Sequence, residues 1–416
     1  MSQTAVGPRH GNNGVRVEAT RRDLEIPGAS SMEAAAPVVL RARPRRLHCE
    51  LICHSNSKHL QYVFTGFALL ARRGLIDLRQ SIVKQSAVLP QRVQHLRTAR
   101  HAHLRVVVDG RLRLHYDTHD SEEIDEEYFE QADHYFKRSY SRAYVERAGY
   151  DMGKIHPLGL YYEVYPNGLD LRRYSRILAL EHGGTTKVRK LVHAVPKLSE
   201  AEALPDFDAP PRILFNVKAW DPHDAADRLP EKVEERRQLN EMRARCLRLL
   251  KAEFGSAFYG GFVHGPYARK HFRDLLLPDE RLASKSNYMK LLRSFPICVA
   301  TTGLHGSIGA KFAEYICLSK AILSERLSYE VPGDIQEGRN YLQFTTAEEC
   351  VAQARRLFDD AELRHRLMVN NARYYNAWLR PDVLVLNTLL TACGEQGRRA
   401  APEQHQRNGD CYASRP

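Results

Sequence analysis

Between Val299 and Ser324 the chain sets out a short apolar run, a turn with glycines at 303, 306 and 309, a helical pattern carrying Glu314, and a second apolar run. That order predicts strand, turn, helix and strand, a βαβ unit, and it commits this part of the chain to an α/β fold with a parallel sheet. Ligands in such sheets gather outside the carboxyl ends of the strands. The turn also sets the ligand's chemistry. Glycine lets the backbone approach a ligand closely, the first N–H groups of the helix lack internal acceptors, and the macrodipole favours negative charge there. An anion is expected, and a diphosphate suits the place.

Gly303, Gly306, Ser307 and Gly309 line the expected cradle. Lys311 falls in the first helical turn, where a cation opposes the macrodipole, and an anionic ligand accounts for it. Glu314, three residues further on, has two readings: a ligand carboxylate, or half of a surface ion pair with Lys311. Lys218 sits near the end of the strand pattern from Arg212 to Trp220. It can reach a diphosphate as a point charge, or serve as an edge lysine that discourages aggregation.

The segment resembles the nucleotide-sugar-binding half of group 1 glycosyltransferases of the GT-B fold. The likeness continues through Pro332-Gly333-Asp334, Glu337 to Phe344 and a helix from Thr346 to Asp359, and upstream through Lys154 to Leu160 and Tyr165-Pro166-Asn167. It covers most of residues 45 to 392 and is nearest to a bacterial, spore-maturation-like branch. The resemblance implies two Rossmann-like domains around an interdomain cleft, with Glu314 on the donor ribose and the turn Gly303 to Gly309 on the diphosphate. It implies transfer of a sugar from a nucleotide diphosphate sugar to an acceptor, without cofactor or metal. One position departs from the pattern: where many retaining members carry a second glutamate, this chain has Gly306 with His305 beside it. His305 is placed to orient the donor phosphate or sugar.

A chain of 416 residues, 43% of them hydrophobic, suggests two domains. The expected division is a basic disordered leader to residue 45, an acceptor domain over 46–200, a linker over 201–211, a donor domain over 212–380, a helix over 381–393 that crosses back, and a disordered tail. Arg380-Pro381 marks the break before that last helix. No apolar run reaches the roughly 20 residues of a membrane span, and no secretory h-region is seen, so cytoplasm is expected. Eight dispersed cysteines read as buried reduced thiols, with Cys49 and Cys53 on one strand face.

In the first half, Leu47 to Cys53 reads as a strand and Val63 to Ala71 as a helix ending before Gly74. Asp109-Gly110 predicts a two-residue hairpin turn. In its second arm Leu112, Leu114 and Tyr116 share one face, with Arg113 and His115 on the other. Asp120 is expected to cap the next helix and Ser139 the one after. That leaves Asp117, Thr118 and His119 for work at the cleft, with His119 or Asp117 as base toward the acceptor hydroxyl. Asp117 with Asp120 as metal ligands is the weaker alternative. In the second half a helix from about Pro230 to Lys251 carries Leu239, Met242, Cys246 and Leu249 as its apolar stripe, its many charges forming a solvated face.

The net charge of +12 bears on partners. The basic leader suits peripheral contact with an anionic membrane. No interleaved basic and aromatic motif supports nucleic-acid binding. Two rivals to the transferase reading stand beside it: an epimerase or hydrolase on the same fold, and a noncatalytic basic binding protein.

Overall fold

The computed structural model describes residues 46–53, 58–82, 103–167, 196–224 and 229–399. The expected leader therefore lies outside the described residues, as does most of the expected tail.

The first sheet has six strands: β1 (Leu47–Cys53), β2 (Ile76–Ile82), β3 (His103–Val108), β4 (Leu112–Asp117), β5 (His134–Lys137) and β6 (Ile155–Pro157), in the order β2-β1-β3-β4-β5-β6. Helix α1 (Gln61–Arg72) joins β1 to the parallel β2, and it ends at Gly74, whose φ of 69° needs glycine. Asp109 and Gly110 have φ of 51° and 71°, the left-handed pair of a tight hairpin turn. That turn forces β3 antiparallel to β4, and β3 is antiparallel to β1 as well. The sheet is thus parallel-rich and mixed, with one reversed strand inside a parallel frame. Leu112, Leu114 and Tyr116 are buried on one face, and His115 is buried on the other, where Tyr128 and Tyr135 stack over it.

The short helices α2 (Glu126–Gln131) and α3 (Arg142–Arg147) correct two cap assignments. Asp125, not Asp120, accepts from the Tyr128 amide, and Ser141, not Ser139, accepts from the Tyr144 amide. Asp120 and Ser139 are used elsewhere, in the candidate site.

After a single turn of helix, α4 (Leu198–Ala201), the chain enters a second sheet. Its elements are β7 (Ile213–Val217), α5 (Pro230–Phe254), β8 (Phe258–Phe262), α6 (Pro266–His271), α7 (Lys285–Arg293), β9 (Ile297–Ala300), α8 (Ala310–Cys317), β10 (Ala321–Glu325) and β11 (Tyr341–Phe344). All five strands are parallel, ordered β11-β10-β9-β7-β8. The chain runs outward from β7 to β8 and then returns to the other side of β7 as β9. This reversal is the topological switch point, where neighbouring crossovers leave in opposite directions and a crevice opens at the strand ends.

Helices α9 (Ala347–Asp359) and α10 (Ala361–Tyr374) close the second sheet; the Thr346 hydroxyl and the Asp360 carboxylate accept from their first-turn amides. The break before Pro381 falls where the proline pattern placed it. Helix α11 (Pro381–Arg399) then packs along α1, under the first sheet, and runs through residues assigned to the tail. The Tyr116 and Thr388 hydroxyls meet at 2.7 Å beneath β4. One continuous core joins both sheets, with Leu114, Tyr162, Leu214, Phe312 and Val385 among its members. All cysteines among the described residues are free, and burial lifts the Cys49, Cys53 and Cys298 thiols to about 12. No helix among the described residues is long and apolar enough to cross a membrane.

The crossing of α1 and α11 depends on Gly66. A Cβ there would lie 2.2 Å from the Pro381 carbonyl oxygen and 2.4 Å from a Val385 methyl. Gly66→Ala is expected to cost about 2–3 kcal/mol through overpacking. Gly394→Ala, inside α11 with nothing within 4 Å of the added carbon, is expected to stabilise by about 0.5–1 kcal/mol. Denaturant unfolding of both variants checks this, and equal midpoints would contradict it.

Candidate functional site

The switch-point crevice is built around a buried arginine of α5. Arg243 is 5% exposed, and its guanidinium donates to the Lys218 carbonyl at 2.8 Å, the Thr302 carbonyl at 2.7 Å and the Thr301 hydroxyl at 3.0 Å. It thereby ties the segment leaving β7 to the segment leaving β9. Burial lowers its pKa to about 10, with Glu325 acting the other way, so it stays charged at neutral pH. Arg236 and Asn240 are buried on the same helix, and Asn240 bonds both backbone groups of Trp220. The face of α5 assigned to solvent is therefore partly a polar strut. Positions 236, 240 and 243 repeat at helical spacing, which is the signal that could have revealed it.

The glycine-rich turn is pinned from several sides. Glu325 accepts from the Thr302 amide and hydroxyl at 2.6 and 2.9 Å, Gly303 donates to the Ser307 carbonyl, and Glu235 accepts from the His305 amide at 2.5 Å. Tyr329 donates to the His305 carbonyl at 2.6 Å. His305 takes a φ of 60°, unusual for a side-chain-bearing residue, and Gly306 takes 64°. A Cβ at Gly303 would come within 2.6 Å of the Ser307 hydroxyl. The amides of residues 302, 303, 305 and 307 are thus committed to the turn itself. The first amides of α8 receive no side-chain acceptor from their N-cap, Gly309. The expected cradle narrows to its carboxyl end. The His305 side chain is exposed, and the buried Ser307 serves the turn.

Glu314 is 2% exposed and faces inward, paired with Lys285 at the start of α7 rather than with Lys311. Burial disfavours the Lys285 charge, but Glu314 and Glu163 outweigh it and raise its pKa. Lys311 sits 3.7 Å over the Tyr288 ring, and burial pushes its pKa down to about 8 against the pull of Glu314. Lys218 is exposed, 4.3 Å over the Trp220 ring. Asn216 is 1% exposed, and neither polar atom of its side chain has a partner. It pairs in register with Gly261, two residues past the last β7–β9 pair, Leu214 with Cys298. A glycine thus flanks an unpaired amide at the carboxyl edge of the sheet.

The carboxyl edge of the first sheet supplies the facing wall. Asp117 is fully buried; Lys137 and Tyr135 donate to one oxygen at 2.8 and 2.6 Å, and the His119 amide donates to the other at 2.9 Å. Burial alone would raise its pKa, but Lys137 and the nearby His103 and His119 hold it well below the usual carboxylate range. Burial drives the pKa of His103 down to about 4. Arg138 follows β5, 7% exposed, and its guanidinium bonds Asp120, the Thr118 carbonyl and the Ile308 carbonyl. It also stands 4.8 Å over Tyr161. Ser139 ties the carbonyls of His119 and Asp120. Through Arg138 the loop of Asp117 and His119 is joined to the residue before the Gly309 cap. The structure brings the 117–120 loop and the start of α8 to one seam, with the His305 side chain outside it.

No protein-family profile matches the chain, and no curated protein matches it. Among solved structures it is similar to a putative UDP-N-acetylglucosamine 2-epimerase from Listeria monocytogenes, at 12% identity and a TM-score of 0.43 over 84% of this chain and 96% of that one. It is also similar to Anabaena HepE in complex with UDP-glucose, at 10% identity and a TM-score of 0.41 over 84% of this chain and 100% of that one. The C-terminal domain of the group 1 glycosyl transferase LpcC from Francisella tularensis matches 43% of this chain over 96% of its own, at 9% identity and a TM-score of 0.31. The α/β architecture stands on the two sheets themselves.

Lys311 gives the crevice a pH signature. In the free protein its charge is lost as pH rises through about 8. Affinity for a nucleoside diphosphate is expected to be flat below pH 8 and to weaken toward tenfold per pH unit above it, while Lys311→Arg stays flat across the range. Calorimetric titration from pH 6.5 to 9.5 checks this; parallel profiles for both proteins would contradict it.

Proposed function

We propose that this protein is a glycosyltransferase that binds a nucleotide diphosphate sugar at the carboxyl ends of β7 and β9 and transfers the sugar to an acceptor held against the first sheet. The observation that carries the reading is the amide end of α8 at the switch point, left without a side-chain cap, with Lys311 in its first turn and the buried Glu314 one turn later. Fixed donors and a cation at one point stabilise the charge that a departing diphosphate gathers, without reorganising as it forms. Glu314, paired with Lys285, accepts from a ribose hydroxyl.

On the facing wall Asp117 is a poor base, because a pKa well below the usual carboxylate range leaves it little affinity for a proton, and one of its oxygens is taken by Lys137 and Tyr135. It holds the loop instead. His119, part-buried beside it, is the group that meets the acceptor hydroxyl. Arg138 adds positive charge between the two walls.

UDP-glucose is the first donor to test. Glu314→Gln keeps the volume and removes the charge, and it is expected to weaken donor affinity tenfold or more, in line with about 1.5–3 kcal/mol for a hydrogen bond to a charged group. Unchanged affinity by calorimetry would remove the ribose role. His119→Ala is expected to lower turnover about 100-fold with donor affinity intact; an unchanged rate would acquit it. Donor incubated without acceptor should persist, whereas rapid conversion would indicate an epimerase or hydrolase.

A further inference from the structure

We propose that His103, Asp117 and His119 form a binding site for a divalent first-row transition metal, zinc by its donor set, at the cleft-facing edge of the first sheet. The sequence offered Asp117 with Asp120 as the weaker metal reading; the structure gives Asp120 to Arg138 and brings in His103 from another strand instead. His103 opens β3, Asp117 closes β4, and the antiparallel register sets them opposite one another. His119 follows two residues later, its amide bonded to Asp117. One ligand atom from each lies within 4.8 Å of the others, and among the described residues no other three such groups converge. Ligands on a tetrahedral zinc are roughly 3.4 Å apart, given metal–ligand bonds near 2.1 Å. A rotation of the loop residue His119 closes that difference.

The second observation is the state of His103. It is 1% exposed, and Nδ1 is taken by His115 at 2.8 Å. Nε2 is buried with no partner, and the ring meets His119 edge-on with centroids 5.1 Å apart. A buried polar atom without a partner is costly, and metal coordination satisfies it. The His103–His115 bond is the support that fixes ring orientation in histidine metal sites, and His115 is itself clamped between Tyr128 and Tyr135. Two imidazoles and one carboxylate suit zinc, cobalt or iron rather than calcium or magnesium, and three protein ligands leave a position for an outside oxygen. Lys137 occupies one oxygen of Asp117, so the carboxylate binds through the other, which now accepts only the His119 amide. The ammonium beside it lowers affinity and does not block the geometry.

The proposal is independent of the transferase reading, because metal is measured directly. It changes the meaning of a loss of turnover in His119→Ala: a metal ligand and a base both predict that loss, and metal content separates them. The full chain, free of any histidine tag, is stripped with chelator and dialysed against Zn2+ or Co2+. Elemental analysis is expected to show about one metal per chain, and cobalt to show the ligand-field absorption of a nitrogen and oxygen site. His103→Ala and His119→Ala are each expected to lose the metal, while His156→Ala, in the separate His134–His156 pair, retains it. Circular dichroism confirms folding, and His119, in a part-exposed loop, keeps the test valid should His103→Ala fail to fold. Less than a fifth of an equivalent in the wild-type chain, or equal metal in the His119→Ala variant, would overturn the site.

Discussion

The guanidinium of Arg243 lies where two parallel strands end and three acceptors converge on it, two carbonyls and a hydroxyl from segments that enter the sheet far apart in sequence. A charge so buried is unfavourable unless its donors are satisfied, and strand-end carbonyls turned inward carry the same requirement. Each side meets the other's need, so the ends of β7 and β9 are held in one arrangement. The glycine-rich turn leaves from that anchor, and Glu325, Glu235 and Tyr329 fix its path. Once the turn has used its own amides, the start of α8 is the part that remains for a ligand.

A second arginine does for the two sheets what Arg243 does for two strands. Arg138 reaches from the end of β5 to Ile308, the residue before the α8 cap, while holding Asp120 and the Thr118 carbonyl on its own side. Lys311 and Lys285 stand on one side of the seam and Lys137 and Arg138 on the other, and Glu314, Glu163, Asp117 and Asp120 balance them.

Local pattern made the frame legible in the sequence. The apolar runs around residues 299 and 322, the Asp109-Gly110 turn and the break at Arg380-Pro381 each act within a few residues, and each has its expected structural consequence. What stayed hidden needed a partner from another element. Arg243 looked like one more charge on a charged helix, because its acceptors lie just past two strand ends more than twenty residues away. Glu314 had a neighbour at helical spacing in Lys311, yet its partner is Lys285 on the preceding helix. Asp120 had the spacing of a cap, but Arg138 claimed it from the next strand. His103 gave no signal, because only the register of β3 against β4 brings it to Asp117.

The central claim is that the end of β9 and the start of α8 take up the phosphates of a nucleotide. Backbone hydrogen exchange with and without UDP-glucose addresses that claim at the amides themselves. The account predicts slowed exchange at residues 309–311 and in the segment 216–220 across the switch point, with the β3–β4 turn unchanged. Protection confined to other parts of the chain, or none with any nucleotide diphosphate sugar at saturating concentration, would contradict it.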